Sequence, residues 1–318
     1  MKLIADGANL TSYCSSISVA ADLAGHTATL AFSLPKGLGA YGAPYMPICG
    51  SIVSLFLAEE VFRGIVVTVD DGKRDAVRYT VCDYGFYLNK NKEVYQFSGI
   101  PADDAIGRIC ADFGIPVYRL CGIPHPVEKI YADNPISDVI GDILEQAGNA
   151  DGHVYGFDVV PKGLRVFRVG EEAFVPTFRL ASNIAPTDSV KHRGNVTHKV
   201  SIEDMRNAVR IVSGEEQGYA RLAEARDEAN IAKYGRMQEV VSVDEDDGDP
   251  LTTAKTLLAA RHTAKETFSF TVLLDEDAFP RPGYLLNVDG QAYILDGVRQ
   301  EWKNGRHTAT LSLGRSAS

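Results

Sequence analysis

Residues 280–313 read PRPGYLLNVDGQAYILDGVRQEWKNGRHTATLSL, and residues 47–81 read PICGSIVSLFLAEEVFRGIVVTVDDGKRDAVRYTV. Each stretch has a glycine followed by three runs of alternating apolar residues between turn-forming residues, a pattern typical of an antiparallel meander. The glycines are 14 and 8 residues apart in both, and one offset of 233 aligns Gly50, Gly64 and Gly72 with Gly283, Gly297 and Gly305. Because strand length and turn position set the register, this spacing predicts one meander built twice, with these six glycines as its structural turns.

The strand pattern extends towards the N-terminus of each meander. Residues 17–34 and residues 200–212 both read as strand, polar turn, strand. Each meander, together with the two strands before it, is therefore predicted to form a small antiparallel β-barrel.

The pattern between the two meanders is helical rather than extended. Apolar residues recur at three- and four-residue steps within 106–113 and again within 136–144, where Asn134 and Pro135 mark a helix start. Strand-like runs flank these helices. The sequence therefore predicts a small α/β domain between the two barrels.

These patterns predict the fold class and the division of the chain. The fold class is α+β, mainly β, with two related small antiparallel β-barrels and an intervening small α/β domain. The first barrel is predicted at 1–97, the α/β domain at 98–185 and the second barrel at 186–318. A partly helical insertion is predicted to interrupt the second barrel at about 215–264.

Composition excludes several classes of protein. The 318 residues carry 32 Lys and Arg against 42 Asp and Glu, a net charge of -10, which argues against a dedicated nucleic-acid binder. No apolar run approaches the about 20 residues of a spanning helix, and the N-terminal segment lacks the apolar core of a secretory signal. The five cysteines are widely spaced and form no C-x-x-C, so they predict core residues rather than disulfides or a zinc site. We expect folding in a cytoplasm and no membrane insertion.

No motif predicts a catalytic, metal or cofactor site. Residues 37–42, GLGAYG, fit the dinucleotide-binding pattern, but no helix follows to receive a pyrophosphate. The acidic run at 244–249 lacks the ligand spacing of a calcium loop. His192 and His198 have no cysteine nearby to complete a zinc site. We therefore predict no catalytic residues, no bound metal and no cofactor.

Four segments, taken together and in order, resemble one family, the tail or baseplate hub proteins of tailed bacteriophages and phage-like contractile particles. They are ADDAIGRICADFGIPV (102–117), NPISDVIGDILEQAG (134–148), KYGRMQEVVSVDED (233–246) and RPGYLLNVDGQAYILDGVRQEWKNGRHTATLSL (281–313). The family has two related β-barrels with smaller domains beside them, in agreement with the repeat.

The resemblance implies a structural role. It implies a homotrimer whose six barrels form a pseudo-six-fold ring, a symmetry adaptor between a three-fold central spike and a six-fold tail tube or tube-initiator protein. Tape-measure and wedge proteins are further implied partners. The implied location is the baseplate of a virion tail, assembled in the bacterial cytoplasm, and the closest resemblance is to contractile tails. DNA would pass through transiently without specific binding, and an acidic lumen would repel its phosphates.

The repeat also suggests where the subunits of a trimer meet. Positions near the middle of each meander are equivalent in the two copies, so we expect quasi-equivalent contacts there. The candidate interface residues are Arg63, Ile65, Val66, Asp296, Val298 and Arg299.

Two other functions remain open at the level of sequence. A carbohydrate-active enzyme or a peptidase would require acids or nucleophiles converging in a cleft. A carbohydrate-binding β module would use exposed aromatic side chains for stacking, and Tyr41, Tyr45 and Trp302 are the candidates. A pocket with perturbed carboxylates would favour an enzyme, whereas a flat ring-forming surface would favour the hub.

Overall fold

The computed structural model describes residues 1–36, 45–72, 75–179, 184–213, 220–243 and 249–316. Strands make up 48% of the chain and helices 20%. The predicted fold class, α+β and mainly β, is therefore confirmed. The α-helices are α1 (Gly85–Lys90), α2 (Ala102–Asp112), α3 (Ile136–Asp151), α4 (Glu228–Tyr234) and α5 (Pro250–Arg261).

The strands alternate with short loops along most of the chain. In the N-terminal part they are β1 (Lys2–Ala5), β2 (Ala8–Asn9), β3 (Ser16–Asp22), β4 (Thr29–Pro35), β5 (Ile52–Phe56), β6 (Glu60–Asp70) and β7 (Ala76–Asp83). In the middle they are β8 (Tyr95–Pro101), β9 (Val117–Arg119), β10 (Pro126–Tyr131), β11 (Tyr155–Val160), β12 (Gly163–Arg168), β13 (Thr177–Phe178) and β14 (Thr187–Asp188). In the C-terminal part they are β15 (Gly194–Ser201), β16 (Ala208–Ser213), β17 (Arg221–Arg226), β18 (Gln238–Val243), β19 (Lys265–Leu273), β20 (Leu285–Val288), β21 (Gln291–Lys303) and β22 (Arg306–Ser316).

The chain divides into two compact units. One comprises residues 1–196 and 269–318, and the other comprises residues 197–268. The domain limits predicted from the sequence, between residues 97 and 98 and between 185 and 186, stay a prediction.

One twelve-stranded sheet contains both meanders. Its strand order is β15-β19-β22-β21-β3-β4-β7-β6-β5-β1-β2, and β20 pairs with β21 outside this path. The side chains alternate between buried and partly exposed along β4, where Leu30, Phe32 and Leu34 are buried. This alternation is what a strand with one face on a core requires.

Five strands occur twice in the same order. The first set is β3-β4-β7-β6-β5 and the second is β15-β19-β22-β21-β20, with each strand paired to the next. The sequence matched residues 200–212 to residues 17–34, and that match is wrong. Strand β16 lies in a separate sheet with β17 and β18, and β19 takes the place of β4. The reason is that residues 202–264 intervene between the two strands that correspond to β3 and β4.

The intervening α/β region has its own core. Helices α2 and α3 bury their apolar sides, with Ile106 and Ile140 inaccessible to solvent, against strands of two small sheets, β8-β10 and β9-β12-β11. Helix α3 ends at Gly152, whose φ of +80° suits glycine. Gly148 lies inside the helix, where an added Cβ would overlap the His153 carbonyl oxygen.

The unit at 197–268 is a three-stranded sheet covered by a helix. Strand β16 is central, antiparallel to β17 and parallel to β18. Val209, Ile211 and Ala254 form its small core. Asp249 caps the start of helix α5, and its carboxylate accepts a hydrogen bond from the Thr252 amide at 3.0 Å.

Candidate assembly interface

The first glycine of each meander has the same role in both copies. Gly50 has a φ of +92° and Gly283 a φ of +88°, a region that favours glycine. Each donates its amide to a carbonyl on the second strand of its meander, Gly50 to Val66 at 2.8 Å and Gly283 to Leu295 at 2.8 Å. The second strand returns a hydrogen bond to the residue after the glycine in both copies. Val66 and Leu295 are therefore equivalent positions.

The other glycines of the repeat are not equivalent in the structure. Val66 lies 16 residues after Gly50, whereas Leu295 lies 12 residues after Gly283. The second hairpin has four residue pairs and a two-residue turn, Asp289 and Gly290 with φ of +54° and +88°. The first has five residue pairs, a bulge and a three-residue loop, so it is four residues longer. The equal glycine spacing therefore does not reflect an equal strand register.

The placement of these four glycines corrects part of the sequence prediction. Gly64 and Gly297 lie within β6 and β21 and not in turns. Gly72 follows the end of β6, whereas Gly305 forms a two-residue turn with Asn304 between β21 and β22. An added Cβ would lie 2.1 Å from the Cys82 carbonyl oxygen at Gly64, but 3.6 Å from its nearest neighbour at Gly297.

A bulge follows the equivalent positions in both copies. Val66 is opposite Val81, and the pairing resumes at Thr68, which is opposite Thr80. In the second copy, Leu295 is opposite Leu313 and the pairing resumes at Gly297. Because one extra residue shifts the register at the same place, Thr68 corresponds to Gly297.

The two copies are joined by a strand pair within the chain. Strand β3, from the first copy, pairs antiparallel with the middle strand of the second copy, β21, from Gly297 opposite Asp22 to Lys303 opposite Ser16. Leu23 extends the pairing by donating its amide to the Asp296 carbonyl at 2.7 Å. Ile17 and Val19 of β3 are buried by this arrangement. The joint is therefore a continuous part of the sheet.

The residues predicted for subunit contacts fall into two groups. Val66 and Val298 are buried within the chain, 1% and 4% exposed, so their side chains pack into the core of the single chain, and their assignment to a subunit interface stays a prediction. Both positions are among the buried ones that alternate along β6 and β21. The remaining four are not fully buried. Arg63 forms a two-point ion pair with Glu60 at 2.8 and 2.6 Å, and the others are Ile65, Asp296 and Arg299.

A buried group of charged side chains lies where β11, β12 and the loop before β20 meet. Arg165, whose side chain is 8% exposed, donates two hydrogen bonds to Asp158, at 2.9 and 3.0 Å, and a third to Glu172 at 3.3 Å. Arg281 Nη1 lies 3.6 Å from Asp158, and its Nη2 donates to the Val61 carbonyl at 2.7 Å. Burial opposes the charge of Arg165, but the paired Asp158 outweighs it and holds the arginine pKa above its usual value. These pairs tie three chain segments together.

A pocket beside this group holds two further titratable side chains. It encloses about 580 Å³, including space open to solvent, and Val19, Phe62, His26, Asp83, Phe157 and Arg281 are among its lining residues. Asp83 accepts hydrogen bonds from the Ala28 and Gly85 amides, yet its burial raises its pKa to about 8. His26 stacks on Phe157 with ring centroids 4.1 Å apart, and burial lowers its pKa. Both groups favour the neutral state, as burial without a close counter-ion predicts.

The other residues singled out by sequence have structural surroundings or lie outside the described residues. Residues 37–42, with Tyr41, and residues 244–248 of the acidic run lie outside them. Tyr45 donates its hydroxyl proton to Asp6 at 2.7 Å, and Trp302 is 8% exposed and stacks on His307 at 4.3 Å. Neither aromatic ring is therefore presented as an open stacking surface.

The described part of the chain has neither a cluster of metal-ligating side chains nor a helix that could span a membrane. Within it, no three His, Cys, Asp or Glu side chains come together as a metal site would need. Its helices are all too short or too polar to cross a bilayer.

Sequence reasoning missed the buried ion pairs and the exposure of strand β15. Arg165 stands between Leu164 and Val166 in a strand whose other residues are almost all buried, and this flanking is the signal that could have identified it. Strand β15 was predicted as a strand. Its exposure could not be predicted, because Val196 and Val200 alternate with polar residues as in a half-buried strand.

Known proteins resemble this chain in sequence. A family model described as YQBQ-like matches residues 17–314. The phage-like element PBSX protein XkdQ of Bacillus subtilis (strain 168) is 26% identical over 266 residues, which cover 80% of this chain and 78% of that protein.

Two solved structures share the fold over nearly the whole chain. The 43 kDa tail protein of prophage MuSo2 from Shewanella oneidensis has a TM-score of 0.69 at 14% identity, covering 99% of this chain and 98% of that one. The tail protein from Neisseria meningitidis MC58 has a TM-score of 0.67 at 14% identity, covering 99% and 95%. The predicted resemblance to phage tail and baseplate proteins is confirmed, and the chain belongs to the YQBQ-like family.

Proposed function

We propose that this chain is a tail hub, a homotrimer whose two barrel halves per chain form a pseudo-six-fold ring between a three-fold spike and a six-fold tail tube. The observation that carries the proposal is the recurrence of β3-β4-β7-β6-β5 as β15-β19-β22-β21-β20. A chain with two similar strand sets presents six similar surfaces when three copies assemble. Such a ring matches six-fold symmetry on one side and three-fold symmetry on the other.

The relatives support a place in a tail. One solved structure that shares the fold is a prophage tail protein, and another is called a tail protein. On this proposal the partners are a central spike and a tail tube or tube-initiator protein, with tape-measure and wedge proteins nearby. The protein would work in the baseplate of a contractile tail. The net charge of -10 would keep DNA from adhering as it passes.

The buried charges support a structural role rather than a catalytic one. Arg165 and Arg281 are both occupied by Asp158 and by further acceptors. Asp83 is 3% exposed, and its two carboxylate oxygens accept backbone amides. Groups held in this way join chain segments and are not presented to a substrate.

The test is the mass and symmetry of the purified full chain. Light scattering over a concentration series, alone and with a candidate spike protein, should give a mass of three times 34.5 kDa in at least one condition. Electron-microscope class averages of that species should show a ring with six similar lobes. A chain that stays monomeric with and without the spike would refute the proposal.

A further inference from the structure

Four arginine side chains surround one carboxylate in the compact unit at 197–268. Arg236 Nη2 lies 2.9 Å and Arg210 Nη2 lies 3.4 Å from the carboxylate of Glu224. Arg221 and Arg226 are ion-paired with the same carboxylate. The Glu224 side chain is 4% exposed, whereas the arginine side chains are 31% to 57% exposed. The group therefore presents guanidinium groups to solvent and covers the carboxylate.

These side chains lie on one face of the three-stranded sheet. Arg210 is opposite Glu224 on β17 and opposite Val240 on β18, so the three form a row across the sheet. The neighbours of Arg210 along β16, Val209 and Ile211, pack with helix α5 on the other face. The row is therefore on the side of the sheet that the helix does not cover. We call this surface the arginine face and define it by Arg210, Arg221, Glu224, Arg226, Arg236 and Val240.

The arginine face has more positive charge than its own ion pairs require. Four arginines against one glutamate leave an excess of three positive charges, within a chain whose net charge is -10. One arginine would neutralise Glu224, and cations held close together repel one another. The surplus therefore adds repulsion to the folded chain, whereas it would be complementary to a negatively charged partner.

The arginines also keep hydrogen-bond donors for a second anion. A guanidinium has five N–H donors, and each of the four contacts Glu224 through a single nitrogen. Arg210 Nε is shielded from solvent and has no hydrogen-bond partner among the described residues. Because Glu224 already holds these side chains, less rotamer freedom would be lost on binding. The arginine face is therefore pre-organised for planar acceptors such as carboxylates.

We propose that the arginine face binds a segment of another protein that is rich in Asp and Glu. Val240 is 55% exposed and lies beside Arg210, so the surface combines guanidinium groups with an apolar side chain. The four cations are all arginines, which are enriched in protein–protein interfaces, whereas lysines are depleted there. The inference goes beyond the proposed hub function, because it does not depend on how many chains assemble.

Nucleic acid is the other large anionic partner, and the surroundings of the face disfavour it. The net charge of -10 repels a long polyanion. Proteins that bind single strands stack the bases on aromatic side chains, and none of the six residues that define the face is aromatic. An acidic protein segment therefore fits the charges and the side-chain types better.

The test is the binding of a labelled twelve-residue peptide of alternating Glu and Ala to the purified full chain, measured by fluorescence anisotropy at low salt. The test variant combines Arg221→Gln with Arg236→Gln and leaves two arginines on Glu224, so the carboxylate stays paired. The dissociation constant should rise about fivefold. This rise corresponds to about 1 kcal/mol, the upper value for one exposed ion pair, and two such contacts are removed.

The matched control combines Arg108→Gln with Arg306→Gln. It removes the same charge from two exposed arginines that form no ion pair with any described residue. The control should bind the peptide as the parent does, and a peptide of alternating Gln and Ala should bind neither. Far-ultraviolet circular dichroism should be equal for all variants. If the test variant does not fold, Val240→Glu places a carboxylate on the face and should weaken binding by a similar factor.

The outcomes separate this inference from the proposed hub function. Equal dissociation constants for the test variant and the control would overturn it, as would a parent chain that does not bind the Glu–Ala peptide. Tighter binding of a short DNA duplex than of the peptide, lost in the test variant, would assign the face to nucleic acid and also overturn it. A trimer by light scattering together with any of these results would leave the hub proposal standing.

Discussion

Replacing Gly64 by alanine should destabilise the twelve-stranded sheet, whereas the same replacement at Gly297 should not. The two glycines occupy the same place in the sequence repeat but different places in the ladder. A Cβ at Gly64 would lie 2.1 Å from the Cys82 carbonyl oxygen, 2.6 Å from its carbonyl carbon and 3.0 Å from the Asp83 amide. All three atoms belong to the backbone of β7, so no side-chain rotation can relieve the overlap. At Gly297 the nearest atoms are side-chain Cβ atoms at 3.6 and 3.7 Å.

The expected loss in the free energy of unfolding follows from the backbone shift that β7 would have to make. Overpacking costs about 1 to 3 kcal/mol, and one or two ladder hydrogen bonds weakened by a backbone shift cost about 1 kcal/mol each. Replacing glycine in a strand returns about 0.5 to 1 kcal/mol through the unfolded chain. The free energy of unfolding should therefore fall by about 3 kcal/mol for Gly64→Ala. For Gly297→Ala it should stay equal or rise by about 0.5 kcal/mol.

The assay is urea unfolding followed by the fluorescence of Trp302. This is the only tryptophan of the chain and it packs against the core that β6 and β7 share, so its signal reports on this sheet. The midpoint should shift to lower urea for Gly64→Ala at an unchanged slope. A Gly64→Ala midpoint equal to that of the parent, or an equal loss in Gly297→Ala, would refute the steric argument.

Two further predictions concern charged groups. Arg165→Met should lower the free energy of unfolding by about 3 kcal/mol, since it breaks a buried ion pair. The matched control is Arg119→Met, because Arg119 forms a more exposed ion pair with Glu172, which Arg165 also binds. This change should lower the free energy of unfolding by less than about 1 kcal/mol. Equal urea midpoints for the two variants would contradict the prediction. Burial raises the pKa of Asp83 to about 8, so the folded chain keeps a proton that the unfolded chain releases above about pH 4. The free energy of unfolding should therefore fall as the pH rises from about 4 to 8, by at most about 1.4 kcal/mol per pH unit. Asp83→Asn should remove that slope, and an unchanged slope in chemical unfolding would disprove the assignment.

The sequence repeat was a sound guide to topology but not to register. Alternation and turn residues predicted three strands at 47–81 and three at 280–313, and the strands are there. The equal glycine spacing arises from two unequal hairpins, because the first has one more residue pair, a bulge and a longer loop than the second. Spacing records chain length between residues, whereas register depends on how much of that length the loops and bulges use. This is why Gly64 is sterically required and Gly297 is not.

Long-range partners were the other part that the sequence could not supply. Helix α3 was predictable from its apolar period, because that period reflects contacts one turn apart. The match of β15 with β3 was hidden, since residues 202–264 separate β15 from β19. The bonds of Arg165 to Asp158 and Glu172 were equally hidden, because each partner lies on another segment and charge alone does not identify it. Such pairings depend on the closed fold, and a single sequence records them only indirectly.

The position of that insertion supports the adaptor proposal in a specific way. Strands β3 and β4 are joined directly by residues 23–28, whereas their counterparts β15 and β19 are joined through residues 202–264. In the proposed ring the five-strand set would therefore occur six times, but the insertion only three times. The meanders would form the nearly six-fold part of the ring. The connection between the first two strands would contain the insertion in every second strand set, so the insertions would follow three-fold symmetry. In that proposed ring, one modified connection per chain would be enough to combine both symmetries, because it would leave the repeated five-strand set unchanged.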